Sequence, residues 1–335
     1  MPDILTCNKG GRPHTYRFPW ANFTELLRTR ASDDGNRDAL IFRDVDSGAR
    51  TSLTYAELDR QTDQIATTFH HRYGINPGDC VALALPNCFE IPLITLALFR
   101  LGATAVPLDL KHDTPERKRF KVNDSGSRLM CTRPDLVEQE QRGLPDVEVV
   151  SAADLSDVCA QRSLSLEPQW SGQFEHEQHT NVVLYTSGTT GTPKGACLTR
   201  QSLTSNASGI IQWLGFNAED RLSLVLPLHH VNSTVFSLTM LMVGGTLILN
   251  SRYSLHQFWP VIQEEEVTAT SIVPTIMHDL NASECGPQKG ELPHLRKVMI
   301  GSAPVPAGAA VRFVDRFGIP LVQGYGTTEG SLRVT

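Results

Sequence analysis

Short hydrophobic runs alternate along the chain with longer amphipathic segments. The run CVALAL (80–85) predicts a buried strand, and the segment 89–101 predicts a helix that ends at Gly102, a common C-terminal residue of helices. The run ATAVPL (103–108) predicts the next strand. This order forms a βαβ unit, which implies parallel strands joined by a right-handed crossover.

The same alternation resumes after a polar stretch at 151–179. Further strands are predicted at 181–186, 221–226, 246–249, 268–273, 297–300 and 320–323. Further helices are predicted at 199–213, 231–242, 254–265, 274–280 and 306–317. The pattern therefore predicts an α/β protein built from two blocks of parallel sheet, a first α/β subdomain at 1–165 and a second at 166–335.

Composition and charge narrow the class of protein. The 335 residues are 40% hydrophobic and 20% charged, which suffices for a large core without disulfide support. The net charge of −6 and the lack of a basic tract argue against a nucleic-acid partner. The seven scattered cysteines form no C-x-x-C motif, and the apolar window 234–249 is too short for a transmembrane segment. We expect a cytoplasmic protein.

The segment YTSGTTGTPKG (185–195) combines glycines, hydroxyl groups and one lysine directly after a predicted strand. Glycines allow backbone N–H groups to turn towards an anion, and Lys194 adds a mobile positive charge. A polyphosphate is the predicted ligand, and a solvated Gly/Thr linker is the alternative. The Walker A motif requires Gly-Lys-Ser/Thr, whereas Lys194 lies between Pro193 and Gly195, so an ordinary P-loop NTPase is excluded.

This loop resembles the phosphate-loop signature of the adenylate-forming superfamily, which includes acyl-CoA synthetases, firefly luciferase and peptide-synthetase adenylation domains. GSAPVP (301–306) resembles the family's adenine-binding segment, and QGYGTTE (323–329) resembles the segment that supplies an aromatic ring, a threonine and a glutamate. The segment 78–109 is also typical of the family. The resemblance implies two stacked parallel-sheet α/β subdomains of the large domain, truncated before the barrel subdomain and C-terminal domain are complete.

The resemblance also implies roles for individual residues. The β- and γ-phosphates of ATP would be held by Thr186, Ser187, Gly188, Thr189, Thr190, Gly191 and Lys194. The rest of the nucleotide site would be formed by Gly301, Ser302, Ala303, Pro304, Gln323, Gly324, Tyr325, Gly326, Thr327 and Thr328. Thr328 would contact the α-phosphate and Glu329 would bind Mg²⁺. Without the motif, core packing would explain Tyr325 and a surface position would explain Glu329.

The segment PLHHVNS (227–233) resembles the part of the family that borders the carboxylate pocket. His230 would lie beside the acyl-adenylate and gate that pocket, although a structural role is the alternative. His229 occupies a position where the family usually has an aromatic residue, so either histidine could face the pocket. Amino-acid-activating relatives carry an aspartate here, and this segment has none. The resemblance thus implies a small-molecule carboxylic acid without an amino group.

Together these motifs imply an acid–thiol ligase that forms an acyl-adenylate from ATP and then a thioester with coenzyme A, as in fatty acid metabolism. The implied catalytic residues are His230, Thr328, Glu329 and Lys194, and the implied cofactors are ATP, Mg²⁺ and coenzyme A. The chain ends before the family's ribose-binding aspartate and the lysine of the C-terminal domain. Two alternatives stay open: a truncated, non-catalytic nucleotide-binding or interaction module, and an adenylation domain that loads a carrier protein.

Overall fold

Helices and strands alternate through the computed structural model, which describes residues 16–155, 178–186 and 192–332. The helices are α1 (Phe23–Asp34), α2 (Tyr55–Tyr73), α3 (Glu90–Leu101), α4 (Pro115–Asp124), α5 (Val137–Gly143), α6 (Arg200–Leu214), α7 (Val231–Val243), α8 (Leu255–Glu264), α9 (Pro274–Ala282) and α10 (Ala307–Phe317). The strands are β1 (Asp38–Arg43), β2 (Arg50–Thr54), β3 (Cys80–Ala84), β4 (Thr104–Pro107), β5 (Ser127–Thr132), β6 (Glu148–Ser151), β7 (Thr180–Thr186), β8 (Lys194–Thr199), β9 (Arg221–Leu224), β10 (Thr246–Asn250), β11 (Ala269–Ile272), β12 (Lys297–Ile300) and β13 (Leu321–Gln323).

The strands form two sheets. The seven-stranded sheet has the order β13-β12-β11-β9-β10-β1-β2, and the six-stranded sheet has the order β6-β5-β3-β4-β7-β8. Within each sheet the neighbouring strands are parallel, except that β2 is antiparallel to β1 and β8 is antiparallel to β7. The predicted α/β class with two mostly parallel sheets is confirmed.

Each sheet contains strands from both sides of the boundary near residue 165 that the sequence suggested. Strands β1 and β2 precede residue 165 but belong to the sheet formed by β9–β13, where Leu40 pairs with Leu247. Strands β7 and β8 follow that residue but extend the sheet of β3–β6. The blocks 1–165 and 166–335 therefore do not each contain one sheet, because pairing between distant strands is not encoded in the local pattern. As domain limits they stay a prediction.

Three hydrophobic clusters show how the layers stack. Side chains of a strand alternate between the two faces of its sheet. Leu83 of β3 and Leu249 of β10 lie on the faces that share one cluster between both sheets. Helices α1, α2, α3, α6 and α7 also contribute to this central cluster. The opposite face of the seven-stranded sheet, including Ile248, packs against α8–α10. The opposite face of the six-stranded sheet, including Ala82, packs with Val122 of α4.

The segment after β7 differs from the sequence prediction. No strand was predicted between the glycine-rich loop and the helix at 199–213, but the loop joins two antiparallel strands, and Lys194 begins the second of them. Gly195 is opposite Tyr185, and a Cβ at Gly195 would lie 3.3 Å from the Tyr185 ring. The missing side chain thus lets the aromatic ring cover the hairpin. Among the residues described, no helix combines the length and apolarity needed to cross a bilayer.

A buried carboxylate connects three strands at one end of the seven-stranded sheet. Glu265 follows α8, its side chain is 4% exposed, and it accepts hydrogen bonds from Arg43 at 2.7 Å and Arg50 at 2.9 Å. Arg221 donates to its backbone oxygen at 2.6 Å. Burial alone would raise the pKa of Glu265, but the bonds from Arg50 and Arg43 outweigh burial and hold the pKa below 4.5.

We expect Glu265→Gln to lower the free energy of unfolding at pH 7 by about 2 kcal/mol, because charge-assisted hydrogen bonds are lost. Glu265 ionises more readily in the folded chain, so its contribution is present above pH 4.5 and disappears as the pH falls through the lowered pKa. Urea denaturation between pH 3 and 8 measures this difference. Glu264→Gln is the matched control, since Glu264 binds Arg43 but is 56% exposed. Equal losses in both variants would contradict the prediction.

Candidate nucleotide and acid site

A cleft of about 540 Å³ lies beyond the carboxyl ends of β9, β11, β12 and β13. Its walls come from the segments after these strands and from the facing sides of α6 and α7. Open parallel sheets bind ligands at this edge, because loops from several strands converge there and leave a crevice between them. The cleft is therefore the candidate functional site.

The cleft brings together residues from all three C-terminal motifs. The predicted residues that line it are His230, Gly301, Ser302, Gly324, Tyr325, Gly326, Thr327 and Thr328. Four predicted residues are exposed beside this lining, namely Ala303, Pro304, Gln323 and Glu329. Thr186 and Lys194 lie on the β7–β8 hairpin. Ser187, Gly188, Thr189, Thr190 and Gly191 lie outside the described residues.

Two neighbouring loops form the part of the cleft predicted to bind adenine. The Gly324 N–H donates to the Ile300 oxygen at 3.0 Å, which holds the loop after β13 against the loop after β12. A Cβ at Gly301 would lie 2.8 Å from the Gly324 oxygen, so only glycine allows this close approach. Tyr325 is 64% exposed, so its ring does not pack in the core.

A compact turn follows Tyr325. Thr327 accepts the Gly330 N–H on its hydroxyl oxygen at 3.0 Å, and its carbonyl oxygen accepts the Leu332 N–H at 3.0 Å. These bonds place Thr328 in the cleft wall and leave Glu329 exposed at the turn. No cluster of three histidine, cysteine, aspartate or glutamate side chains suited to a metal occurs within the described ranges. The exposed Glu329 carboxylate can supply one ligand to a metal that phosphate oxygens also bind.

The two adjacent histidines point to different surroundings. His230 lines the cleft at the start of α7, and its N–H donates to the Pro227 oxygen at 3.1 Å. His229 lies behind it, 16% exposed, with its Nε2 3.6 Å from an Asp109 oxygen. Partial desolvation lowers the pKa of both rings, that of His229 to about 4. Of the two candidates, the structure thus places His230 in the cleft, as a neutral ring at pH 7.

Asn87 fixes the loop that carries these histidines, and the sequence analysis missed it. Its side-chain amide is buried between the sheets, donates to Leu226 at 3.0 Å and Asn250 at 3.1 Å, and accepts the Leu228 N–H at 2.9 Å. Asn87 therefore ties the end of β3 to the loops after β9 and β10. The available signal was a Pro-Asn pair between the predicted strand 80–85 and the predicted helix 89–101.

Several further cleft residues carry no local sequence signal. Ser271 of β11 donates its hydroxyl to the Asn232 side-chain oxygen at 3.1 Å, and both residues line the cleft with Phe236. Trp213, near the end of α6, is 38% exposed and also lines it. Core packing would explain an aromatic residue in the predicted helix 199–213 equally well. Only the packing of α6 and α7 shows which of their side chains face the cleft.

The loop end of the β7–β8 hairpin is attached to α4. The Tyr185 hydroxyl donates to an Asp124 oxygen at 2.7 Å, and the Lys121 ammonium lies 5.5 Å from the centre of the Tyr185 ring. Lys194 is exposed and pairs with Thr186 across the hairpin. The anchored strands therefore hold both ends of the glycine-rich loop, and Lys194 remains accessible to an anion.

Comparison with known proteins matches this chain to one family over most of its length. The model of the family described as AMP-binding enzyme matches residues 27–335. The chain is 32% identical to a feruloyl-CoA synthase of Amycolatopsis sp., covering 84% of this chain and 55% of that protein. It is 30% identical to an oxalate–CoA ligase of Arabidopsis thaliana, covering 86% and 58% of the two chains. The chain thus spans little more than half the length of these relatives.

Solved structures share the fold. The inhibitor-bound N-terminal domain of FACL13 from Mycobacterium tuberculosis has a TM-score of 0.80 at 27% identity, covering 92% of this chain and 77% of that one. The o-succinylbenzoate coenzyme A synthetase MenE from Bacillus subtilis, in complex with ATP and magnesium ion, also has a TM-score of 0.80 at 27% identity. That match covers 92% of this chain and 61% of the other.

Proposed function

Because this chain belongs to the AMP-binding enzyme family, as its motifs predicted, we propose that it forms the nucleotide- and acid-binding part of an ATP-dependent acid–thiol ligase. The observation that carries the proposal is the cleft itself, where His230, the Gly301–Ser302 loop and the Tyr325–Thr328 turn border one volume. The names of the relatives describe ligases that join acids to coenzyme A.

The proposed reaction has two steps. An oxygen of the substrate carboxylate attacks the α-phosphorus of ATP, and the bonding electrons leave with pyrophosphate, which gives the acyl-adenylate. The coenzyme A thiol then loses its proton to solvent as its sulfur attacks the acyl carbon, and AMP leaves with the electrons of the broken acyl–oxygen bond. Neither step needs a nucleophile from the protein. The residues must therefore hold the two reactants in line and balance the phosphate charge.

The side chains of the cleft suit these tasks. The exposed Tyr325 ring and the loop 301–304 offer a slot for adenine, and the Thr328 hydroxyl can donate to the α-phosphate. Lys194, with the rest of the glycine-rich loop, would bind the β- and γ-phosphates. Mg²⁺, when bound, neutralises phosphate charge, and the exposed Glu329 suits it because this ion commonly takes one or two carboxylates together with substrate phosphates.

The walls of the cleft indicate the class of acid. None of the described residues that line it carries a permanent charge, and His230 is neutral at pH 7 because desolvation lowers its pKa. A substrate ammonium group would find no counter-charge there and would lose its hydration. An acid of small to medium size without an α-amine fits better, with His230 as a neutral hydrogen-bonding partner of its carboxylate. A cytoplasmic location is part of the same proposal.

Pyrophosphate–ATP exchange with pooled carboxylic acids tests the proposal. We expect exchange that depends on an acid and falls about tenfold in Lys194→Ala, because one phosphate-binding charge is lost. Lys289→Ala, at an exposed lysine before β12, is the matched control and should leave the rate unchanged. A folded chain without exchange would favour the alternative of a nucleotide-binding or interaction module. Acyl transfer to a carrier protein but not to coenzyme A would favour the carrier-loading alternative.

A further inference from the structure

Asp109 occupies a turn directly after β4, in contact with His229. One carboxylate oxygen of Asp109 accepts the backbone N–H groups of Lys111 at 3.0 Å and His112 at 3.2 Å. The other accepts the His112 ring Nδ1–H at 2.7 Å and lies 3.6 Å from Nε2 of His229. One carboxylate thus contacts two imidazole rings while it forms its own turn.

A buried ion pair holds this carboxylate in place. The Asp109 N–H donates to an Asp113 oxygen at 3.0 Å, and the Lys121 ammonium lies 2.6 and 2.7 Å from the two Asp113 oxygens. The Lys121 and Asp113 side chains are 8% and 4% exposed. Because these partners are buried and fully engaged, the turn has little freedom to move away from His229.

His229 connects this turn to the cleft. Its ring centre is 4.3 Å from that of His230, with 57° between the ring planes, and its side chain is 16% exposed. His230 lines the cleft on the far side of this contact. Asp109, His229 and His230 therefore form a continuous series of contacts that ends where the acid is proposed to bind.

We propose that Asp109 is a positioning residue that acts on the cleft through His229, holding the His229 ring against His230 and so fixing how His230 faces the acid. The part of this proposal that concerns the acid rests on the proposed function. The contact between Asp109 and the two histidines does not.

The charges around the pair allow the proposal to be measured. Desolvation is the largest influence and lowers the pKa of both rings. The neighbouring His230 and Lys121 lower the pKa of His229 further. The carboxylates of Asp109 and Asp113 raise it. For His230, Asp109 raises the pKa and His112 lowers it. A carboxylate stabilises the protonated ring, so removing the Asp109 charge should lower both pKa values.

The test is Asp109→Asn in the full chain, followed by NMR titration of the histidine rings. The asparagine oxygen can still accept the N–H groups of Lys111 and His112, so the turn is retained. Removal of the Asp109 charge should lower the pKa of His230, and loss of the carboxylate beside His229 should change the His230 ring shifts at neutral pH. Asp79→Asn is the matched control, because Asp79 also accepts a backbone N–H in a turn but precedes β3 at the opposite end of the sheet. It should leave His230 unchanged.

A second variant tests whether the effect passes through His229. His229→Phe keeps a ring beside His230 but removes the nitrogen that faces Asp109. In the His229→Phe chain, Asp109→Asn should change the His230 ring shifts by less than half as much as it does in the wild-type chain. An undiminished effect would overturn the route through His229, and an unchanged His230 titration in a folded Asp109→Asn would overturn the proposal itself.

Enzymatic activity is a separate readout. If the chain catalyses exchange, Asp109→Asn should shift the acidic limb of its pH profile in the same direction as the His230 titration. If Asp109→Asn leaves the His230 titration unchanged, the positioning role is rejected even in a chain that catalyses exchange. Absence of exchange would reject the proposed function while the NMR titration still decides the role of Asp109.

Discussion

Gly301→Ala is expected to weaken ATP binding by about 100-fold, because an overpacked contact typically costs about 1–3 kcal/mol and each 1.4 kcal/mol is about tenfold in affinity. The new Cβ would lie 2.8 Å from the Gly324 oxygen, which is closer than unbonded atoms approach, and the obstructing atom belongs to the backbone. Relief requires the loop after β13 to move, yet the Gly324 N–H is bonded to the Ile300 oxygen. That loop carries Tyr325 and Thr328, so the displacement would disturb the proposed adenine slot and the proposed phosphate contact together.

Calorimetric titration with ATP measures this effect, and Gly308→Ala is its matched control. Gly308 lies in α10, where the nearest atom to an added Cβ belongs to the flexible Arg312 side chain at 3.7 Å. There alanine should preserve ATP affinity and slightly increase stability, since it replaces glycine inside a helix. Unaltered ATP affinity in Gly301→Ala would mean that the loops after β12 and β13 do not lie as close as described.

Asn87→Ala is expected to lower the free energy of unfolding by about 3 kcal/mol, the largest stability effect predicted for this chain. The substitution removes three buried hydrogen bonds and leaves the Leu226 and Asn250 oxygens and the Leu228 N–H without this partner. Each unsatisfied buried group costs about 1–3 kcal/mol, and relaxation of the loops should recover part of the sum. Because Leu226, Pro227 and His230 line the cleft, ATP affinity should fall as well.

Urea denaturation measures the loss of stability, and Asn76→Ala provides the comparison. Asn76 is exposed, and its amide donates to the Gly74 oxygen at 2.8 Å in a surface turn. Its removal should cost less than about 1 kcal/mol, since water can replace the lost partner. Similar losses in Asn76→Ala and Asn87→Ala would show that the buried amide does not stabilise the contact between the two sheets.

The sequence determined the elements that depend on local order. The helix 231–242 was predicted to within one residue of α7, and the strand at 297–300 coincides with β12. Both predictions rest on the pattern of apolar residues, which is a property of neighbouring residues. The motifs 301–306 and 323–329 likewise placed the nucleotide segments at the carboxyl ends of strands, where the structure brings them into one cleft.

Only the tertiary structure decided which distant segments meet. It placed β1 and β2 in the seven-stranded sheet and made the glycine-rich loop part of a hairpin. It also turned His230 towards the cleft and His229 towards Asp109. A local pattern records which face of an element is apolar, but it does not name the partner that covers that face. That choice depends on packing between residues far apart in sequence, and so do the buried contacts of Asn87 and the orientation of the two histidines.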